Sequence, residues 1–339
     1  MRKRVVTETR PSRGGKRSGD QVMARNRTMS PPVRGAVAAP RAGPSFASYL
    51  RDFWRARSTL AFLFCVPLIA IIGGLIVYPF FYSIYLSTLN KAETEFVGFG
   101  NYLFLFNRST FWMVVRQSIL FTVVAVLFKA LIGFVCAHLI HNVSERGQRV
   151  WRGLMLIPWV IPPALSTLGW WWLFDPTHSA VNWLLVSIGG PHIPWLSETF
   201  WARFAVILVN IWYGAPFFMI MYLAALKSIP DELYDAAKVD GASAWQRLRY
   251  VTLPMMRNIV AITMLFSTIV TFANFDIVRV LTAGGPRNTT HLFGTYAFDL
   301  GIRSGDIPLG ASVSLFMFPI LAIFAFFILR DVRHRARRL

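Results

Sequence analysis

Long uninterrupted apolar stretches alternate along this chain with short polar ones. Six apolar runs stand out, at roughly residues 59–82, 113–140, 150–174, 200–226, 256–281 and 308–330. Each has the ~20 residues that a helix needs to cross the hydrocarbon core of a bilayer. Within the runs apolar and polar residues do not alternate, so the pattern predicts helices and not a barrel. The expected fold is therefore all-α and integral to the membrane, a six-helix transmembrane bundle over 58–330. Residues 1–57 are rich in Arg, Gly, Pro and Ser, a composition that predicts a basic disordered segment. Residues 331–339 form a short basic tail.

The polar stretch between the fourth and fifth runs, "DELYDAAKVDGASAWQRLRYVTLP" at 231–254, has its own pattern. Ser228 can cap a helix, Pro230 suits a first turn, and Asp231 and Glu232 complement the positive end of the helix dipole. That helix should run to about Asp240. Gly241 then permits a sharp turn. Ser243 and Gln246 form a capping box that opens a second helix, with Trp245, Leu248 and Val251 as its apolar stripe. Pro254 marks the entry to the next span. The prediction is a helix–glycine–helix hairpin. Ala236 and Ala237 are small, so another surface can approach the backbone there, while Asp235, Lys238 and Asp240 surround them with charge. Two readings follow from the pattern: a docking knob for a partner, or an amphipathic loop resting on the membrane.

Composition places the chain among membrane proteins. It is 55% hydrophobic and 15% charged, against about 25% charged in soluble domains. The net charge of +19 first suggests nucleic acid, but its distribution excludes that partner. Lys and Arg number 14 in residues 1–58, then 3, 5 and 5 in 141–152, 227–257 and 330–339. The alternate loops, 83–112, 175–203 and 282–307, hold only 2, 1 and 2. Basic short loops stay on the cytoplasmic side, so both termini and the 231–254 hairpin are predicted to be cytoplasmic. The outer loops are short; 175–199, with its prolines and glycines, should be turns. Cys65 and Cys136 suit neither a structural disulfide nor a metal site, and His138 and His141 lack a third ligand. No metal is expected.

The hairpin resembles the hallmark loop of the inner-membrane subunits of binding-protein-dependent ABC importers. That pattern is E-A-A, three residues, Gly, nine residues, then Ile-x-Leu-Pro. Here it reads Asp235-Ala236-Ala237, three residues, Gly241, nine residues, then Val251-Thr252-Leu253-Pro254. Asp for Glu and Val for Ile keep charge or shape. Other stretches look like the maltose-type carbohydrate permeases: "NIWYGAPFF" in the fourth span, "FANFDIVRVLTAGGP" at the end of the fifth, and the proline-rich third span. Ser179 and Lys129 depart from that pattern. The resemblance implies that the hairpin is a coupling loop that inserts into a cytoplasmic ATPase, with Asp235, Ala236, Ala237, Asp240, Gly241 and Pro254 as docking residues. It implies a second homologous permease, two ATP-binding subunits and a periplasmic or lipid-anchored solute-binding protein as partners, in the cytoplasmic membrane of a bacterium. The chain has no G-x-x-x-x-G-K-[ST], so ATP and Mg are expected in a partner, with no cofactor bound here. The solute implied is a sugar or related polyol, moved by alternating access; glycerol-3-phosphate or a polyamine is the alternative.

Ionisable groups inside spans are candidates for function. Lys129 is read as structural ahead of anion binding, and Asp276 and Arg279, three apart on one helix, as a local pair. Prolines and glycines at 158, 162, 163, 214 and 216 should interrupt the third and fourth spans, and such breaks often line a cavity. That places the solute path near the fourth and fifth spans, with Tyr213, Gly214, Asn274 and Asp276 as first choices. Trp171 and Trp172 are read as belt residues at the membrane interface.

Overall fold

A computed structural model describes residues 57–336. The chain divides into two units, Met1–Val66 and Pro67–Leu339. Of the first, the described residues are the opening turns of helix α1 (Arg57–Ile72). The expected disorder of 1–56 and the last residues of the basic tail lie outside the described residues. Apart from the start of that helix, everything below concerns the second unit.

Among the described residues the secondary structure is helical apart from one isolated bridge, Leu89 to Phe96. Five helical stretches are long and apolar enough to cross a membrane: Phe62–Leu86, Ser109–His141, Thr199–Lys227, Ala244–Leu281 and Ile307–Phe327. They coincide with five of the six apolar runs. The first joins α1, a π turn over Gly73–Val77 and α2 (Tyr78–Leu86). After α3 (Gly100–Phe106) comes the longest single helix, α4 (Ser109–His141).

The third run is two helices, α5 (Glu145–Val160) and α6 (Pro163–Leu173), bent by 88° at their junction. The cause is the Pro162-Pro163 pair. A residue before proline is pushed out of the α region. Ile161 (ψ 133°) and Pro162 (ψ 134°) are accordingly extended. The interruption expected in the fourth run does not occur: α8 (Thr199–Lys227) continues through Gly214 and Pro216. The loop at 175–199 is more than the expected turns. It contains α7 (Ala180–Ser187), whose N-terminus Ser179 caps by accepting from the Asn182 amide. The Asn182 side chain then ties the loop down. Its Oδ1 accepts from the amide of Ile193 (3.1 Å) and from Trp195 Nε1 (3.0 Å), and its Nδ2 donates to the Ile193 carbonyl (2.8 Å).

Helices α4 and α8 form the most extensive pairing. Gly133 makes their contact possible: a Cβ there would lie 2.4 Å from Phe218 Cβ and 2.9 Å from the Met219 amide nitrogen. One core cluster gathers Ala137, Ile140, Phe218, Met219, Tyr222 and Met256 at the hairpin end of these helices. Another, with Phe121, Ala125, Phe174, Trp195 and Val206, fills the opposite end. A third, with Leu105, Phe111, Phe272, Phe293 and Val313, joins α3 and α4 to the last helices. These are α11 (Leu253–Phe272), α12 (Asp276–Leu281), α13 (Phe293–Phe298), α14 (Ile307–Leu315) and α15 (Met317–Ala336). Outside the clusters, large apolar side chains such as Leu75 and Trp172 stand exposed, as a lipid-facing surface requires.

Candidate functional site

Two places in this frame gather the residues that the sequence singled out. The first is the hairpin. Helix α9 (Asp231–Val239) starts at Pro230. Ser228 does not cap it: its hydroxyl donates back to the Ala225 carbonyl (2.7 Å), closing the C-terminus of α8. Gly241 turns the chain with φ +75°, a conformation costly for any residue bearing a Cβ. The Ser243–Gln246 capping box is fully formed and opens α10 (Ala244–Arg247). The second arm is not a separate short helix. Through a π turn over Leu248–Thr252 it continues into α11, with Pro254 in the first turn.

The hairpin is pinned at its base and bare at its tip. Tyr234 Oη and the buried Thr252 Oγ1 meet at 3.0 Å. Arg247 Nη1 donates to the Ala242 carbonyl (2.8 Å). Beyond that base Val239 is 88% exposed and Trp245 69%, while Tyr250, beside Thr252, is exposed as well. A cleft of about 680 Å³ separates the hairpin from the end of α4, lined by His138, His141, Asp231, Tyr234, Asp235, Lys238 and Trp245 among others. Asp235 faces this cleft and accepts from Lys238 Nζ at 2.8 Å. Both partners are exposed, so the pair contributes little to stability. Of the expected docking residues, Ala236, Asp240 and Gly241 are exposed at or near the tip, and Ala237 is half-buried. Pro254 lies on the span side, away from the tip.

The second place is a small cavity of about 70 Å³ between α4, α8 and α11. Its central feature is Lys129, 3% exposed. The ammonium donates to Asn210 Oδ1 (2.9 Å) on α8 and to Thr271 Oγ1 (2.7 Å) on α11, so one side chain ties three helices. No ion pair involves Lys129 among the described residues. The lysine stem crosses Gly214, where a Cβ would meet Lys129 Cδ at 2.5 Å. Tyr213, Gly214 and Asn274 line the cavity, with Phe217, Phe266 and Ser267 beside them. Asn274 Oδ1 is buried without a hydrogen-bond partner.

Three of the four predicted path residues thus meet at one cavity. Asp276 does not join them; it is exposed in the first turn of α12. Nor does it pair with Arg279. That guanidinium lies 4.8 Å from the centre of the Phe298 ring, a cation–π contact that competes with the carboxylate. Trp172 is exposed as a belt residue would be, whereas Trp170 packs edge-on to Trp212 at 5.4 Å. The Lys129–Asn210–Thr271 network was not foreseen as a unit. Its sequence signal was three polar groups set singly in apolar runs. No cluster of three metal-ligating side chains occurs among the described residues.

Comparison with known proteins agrees with these features. Residues 129–338 match the family described as binding-protein-dependent transport system inner membrane component. A trehalose/maltose transport system permease protein of Thermococcus litoralis is 31% identical over 280 residues, covering 81% of this chain and 94% of the relative. A lactose transport system permease protein of Rhizobium radiobacter is 32% identical over 283 residues, covering 80% and 94%. Among solved structures, a bacterial ABC transporter involved in the import of the acidic polysaccharide alginate contains a chain that superposes with a TM-score of 0.74. That likeness comes at 24% identity and covers 84% of this chain and 98% of the other.

Proposed function

The chain belongs to the family of binding-protein-dependent transport system inner membrane components, and from that premise we propose that it is the permease subunit of an ABC importer for a sugar or related polyol. Relatives named for trehalose/maltose and lactose transport support the solute class. The observation that carries the mechanism is the hairpin: an organised polar segment, fixed at its base, with Val239 and Trp245 exposed on either side of the Gly241 turn. A tip of that kind suits insertion into another protein. That protein is a separate ATPase, which hydrolyses MgATP and closes, moving α9 and α10. Ala236, Asp240 and Gly241 form the contact, with Asp235 and Ala237 behind them. The distribution of basic residues supports a cytoplasmic hairpin and cytoplasmic termini.

The cavity at Lys129 supplies the solute path. At about 70 Å³ it is well short of the roughly 300–1,000 Å³ of a closed small-molecule site. A second permease facing α8 and α11 completes it. A solute-binding protein delivers the solute from outside, and Tyr213, Gly214 and Asn274 meet it within the membrane. The bent α5–α6 pair counts as one crossing in this scheme, which gives six spans and both termini on one side.

Reconstitution tests the proposal. The chain with a second permease, two ATPase subunits and a binding protein is placed in proteoliposomes and offered labelled maltose, trehalose, lactose, glycerol-3-phosphate and spermidine. Uptake of a saccharide that requires ATP is expected. Uptake independent of the ATPase, or of glycerol-3-phosphate or spermidine alone, overturns the reading.

A further inference from the structure

A lysine ammonium has three N–H donors and no acceptor. An asparagine amide has two faces of opposite polarity, and which one a solute meets depends on what holds the other. Lys129 lies on α4, Asn210 on α8 and Asn274 just past α11, and all three line one cavity. Because Lys129 Nζ donates to Asn210 Oδ1 at 2.9 Å, the oxygen of that amide is committed. Asn210 Nδ2 then forms no hydrogen bond among the described residues, although Asn210 is 4% exposed. Asn274 Oδ1, on the same cavity, is a buried acceptor without a partner. The cavity therefore carries a free amide donor from one asparagine and a free amide acceptor from the other. Asn274 Oδ1 is buried, and an unpaired buried polar group is costly, so the cavity calls for a ligand that donates to it and accepts from the Asn210 amide.

We propose that Lys129 is a positioning residue of the solute path: by holding the Asn210 oxygen it turns that amide's N–H group to the cavity, so that Asn210 and Asn274 together fit adjacent hydroxyls of a polyol. A hydroxyl both donates and accepts, so one hydroxyl of a vicinal pair takes the Asn210 N–H and the next donates to Asn274 Oδ1. This rests on the sugar-importer reading above and adds the residue that sets its polarity. Lys129 acts through Asn210 and need not touch the solute.

The test uses the purified complex of permeases and ATPases without its binding protein, titrated with labelled maltose, trehalose and lactose. For whichever sugar the wild type binds, Asn210→Asp is expected to weaken affinity roughly five- to ten-fold, as losing one or two neutral hydrogen bonds implies. That variant keeps an oxygen for Lys129 and so keeps the tie. Lys129→Met is expected to weaken binding by a similar factor in the wild-type background. In an Asn210→Ala background the same change should add less than two-fold, because it acts through a group already removed. Lys129→Arg, which retains donors toward Asn210, should recover part of the loss. Undiminished binding by Asn210→Asp overturns the proposal, and so does a Lys129→Met effect of equal size in both backgrounds. Absence of binding to all three sugars by the assembled wild type overturns the sugar reading itself and this inference with it.

Discussion

Gly133→Ala is a one-carbon test of how α4 and α8 fit together. The added Cβ would sit 2.4 Å from Phe218 Cβ, where ordinary contact begins at 3.4 Å. The helices must part by about 3.4 − 2.4 = 1 Å at that level. The obstacle is a Cβ and the backbone of Met219, which cannot swing aside as a flexible side-chain end would. Overpacking of this kind costs typically about 1–3 kcal/mol. The better helix propensity of Ala over Gly returns about 1 kcal/mol, which leaves a net loss of about 0–2 kcal/mol; the rigid obstacle puts Gly133→Ala at the upper end. One turn along α4, the Lys129–Asn210 bond is 2.9 Å. A further 1 Å would carry it to about 3.9 Å, beyond hydrogen-bond range. Thermal unfolding of the detergent-solubilised complex, followed by fluorescence-detected size exclusion, should show a midpoint several degrees lower. Sugar uptake should fall with it. A Gly133→Ala complex with an unchanged midpoint and full uptake would falsify the close contact, and with it the account of the cavity next to it.

At the hairpin tip, Val239→Asp combined with Trp245→Ala should leave membrane insertion intact but weaken ATPase association at least ten-fold in pull-down titrations; equal association would remove the tip from the interface. Gly241→Pro should uncouple uptake from ATP hydrolysis, because φ is +75° there and proline is fixed near −65°. Coupled transport by that variant would show that the turn geometry is dispensable. His291 gives a pH dependence. It is 3% exposed and its ring packs against Gly284, with Nδ1 bonded to Thr295 Oγ1. Burial holds its pKa below the ordinary histidine value; the Asp299 charge opposes this, and Arg279 and Arg303 reinforce it. The unfolded chain then binds the proton more tightly than the folded one, so stability falls as pH drops through about 6.5. Melting midpoints of wild type and His291→Gln should converge between pH 7.5 and 5; parallel pH curves would exclude the histidine.

The spans were legible because a run of ~20 apolar residues has few other uses in a folded chain. The capping box and the Gly241 turn were legible for a similar reason, since each is set by side chains within a few positions of one another. What failed to show was decided by neighbours distant in sequence. Gly214 and Pro216 looked like a break, yet packing along α4 keeps α8 whole. Asp276 and Arg279 had the spacing of a pair, but the Phe298 ring, arriving from α13, took the guanidinium. Lys129 was visible as a charge in an apolar run, while its acceptors at 210 and 271 lie on other helices that no local pattern connects. The 88° bend between α5 and α6 was half legible: consecutive prolines announced a break without giving its angle.

The second arm of the hairpin and the fifth span share one unbroken helical rod, from Ala244 to Phe272. Between Trp245 and Thr271 that rod is about 40 Å long at 1.5 Å per residue. Pivoted at its middle like an oar, it moves each end about 0.35 Å per degree of swing. The Thr271 end is moored to Lys129 by a bond of 2.7 Å, so a swing of only two to three degrees carries it past the ~3.5 Å limit of a hydrogen bond. A small stroke at the hairpin end is thus enough to cast off a mooring at the far end of the rod, provided the π turn over Leu248–Thr252 transmits the swing without bending.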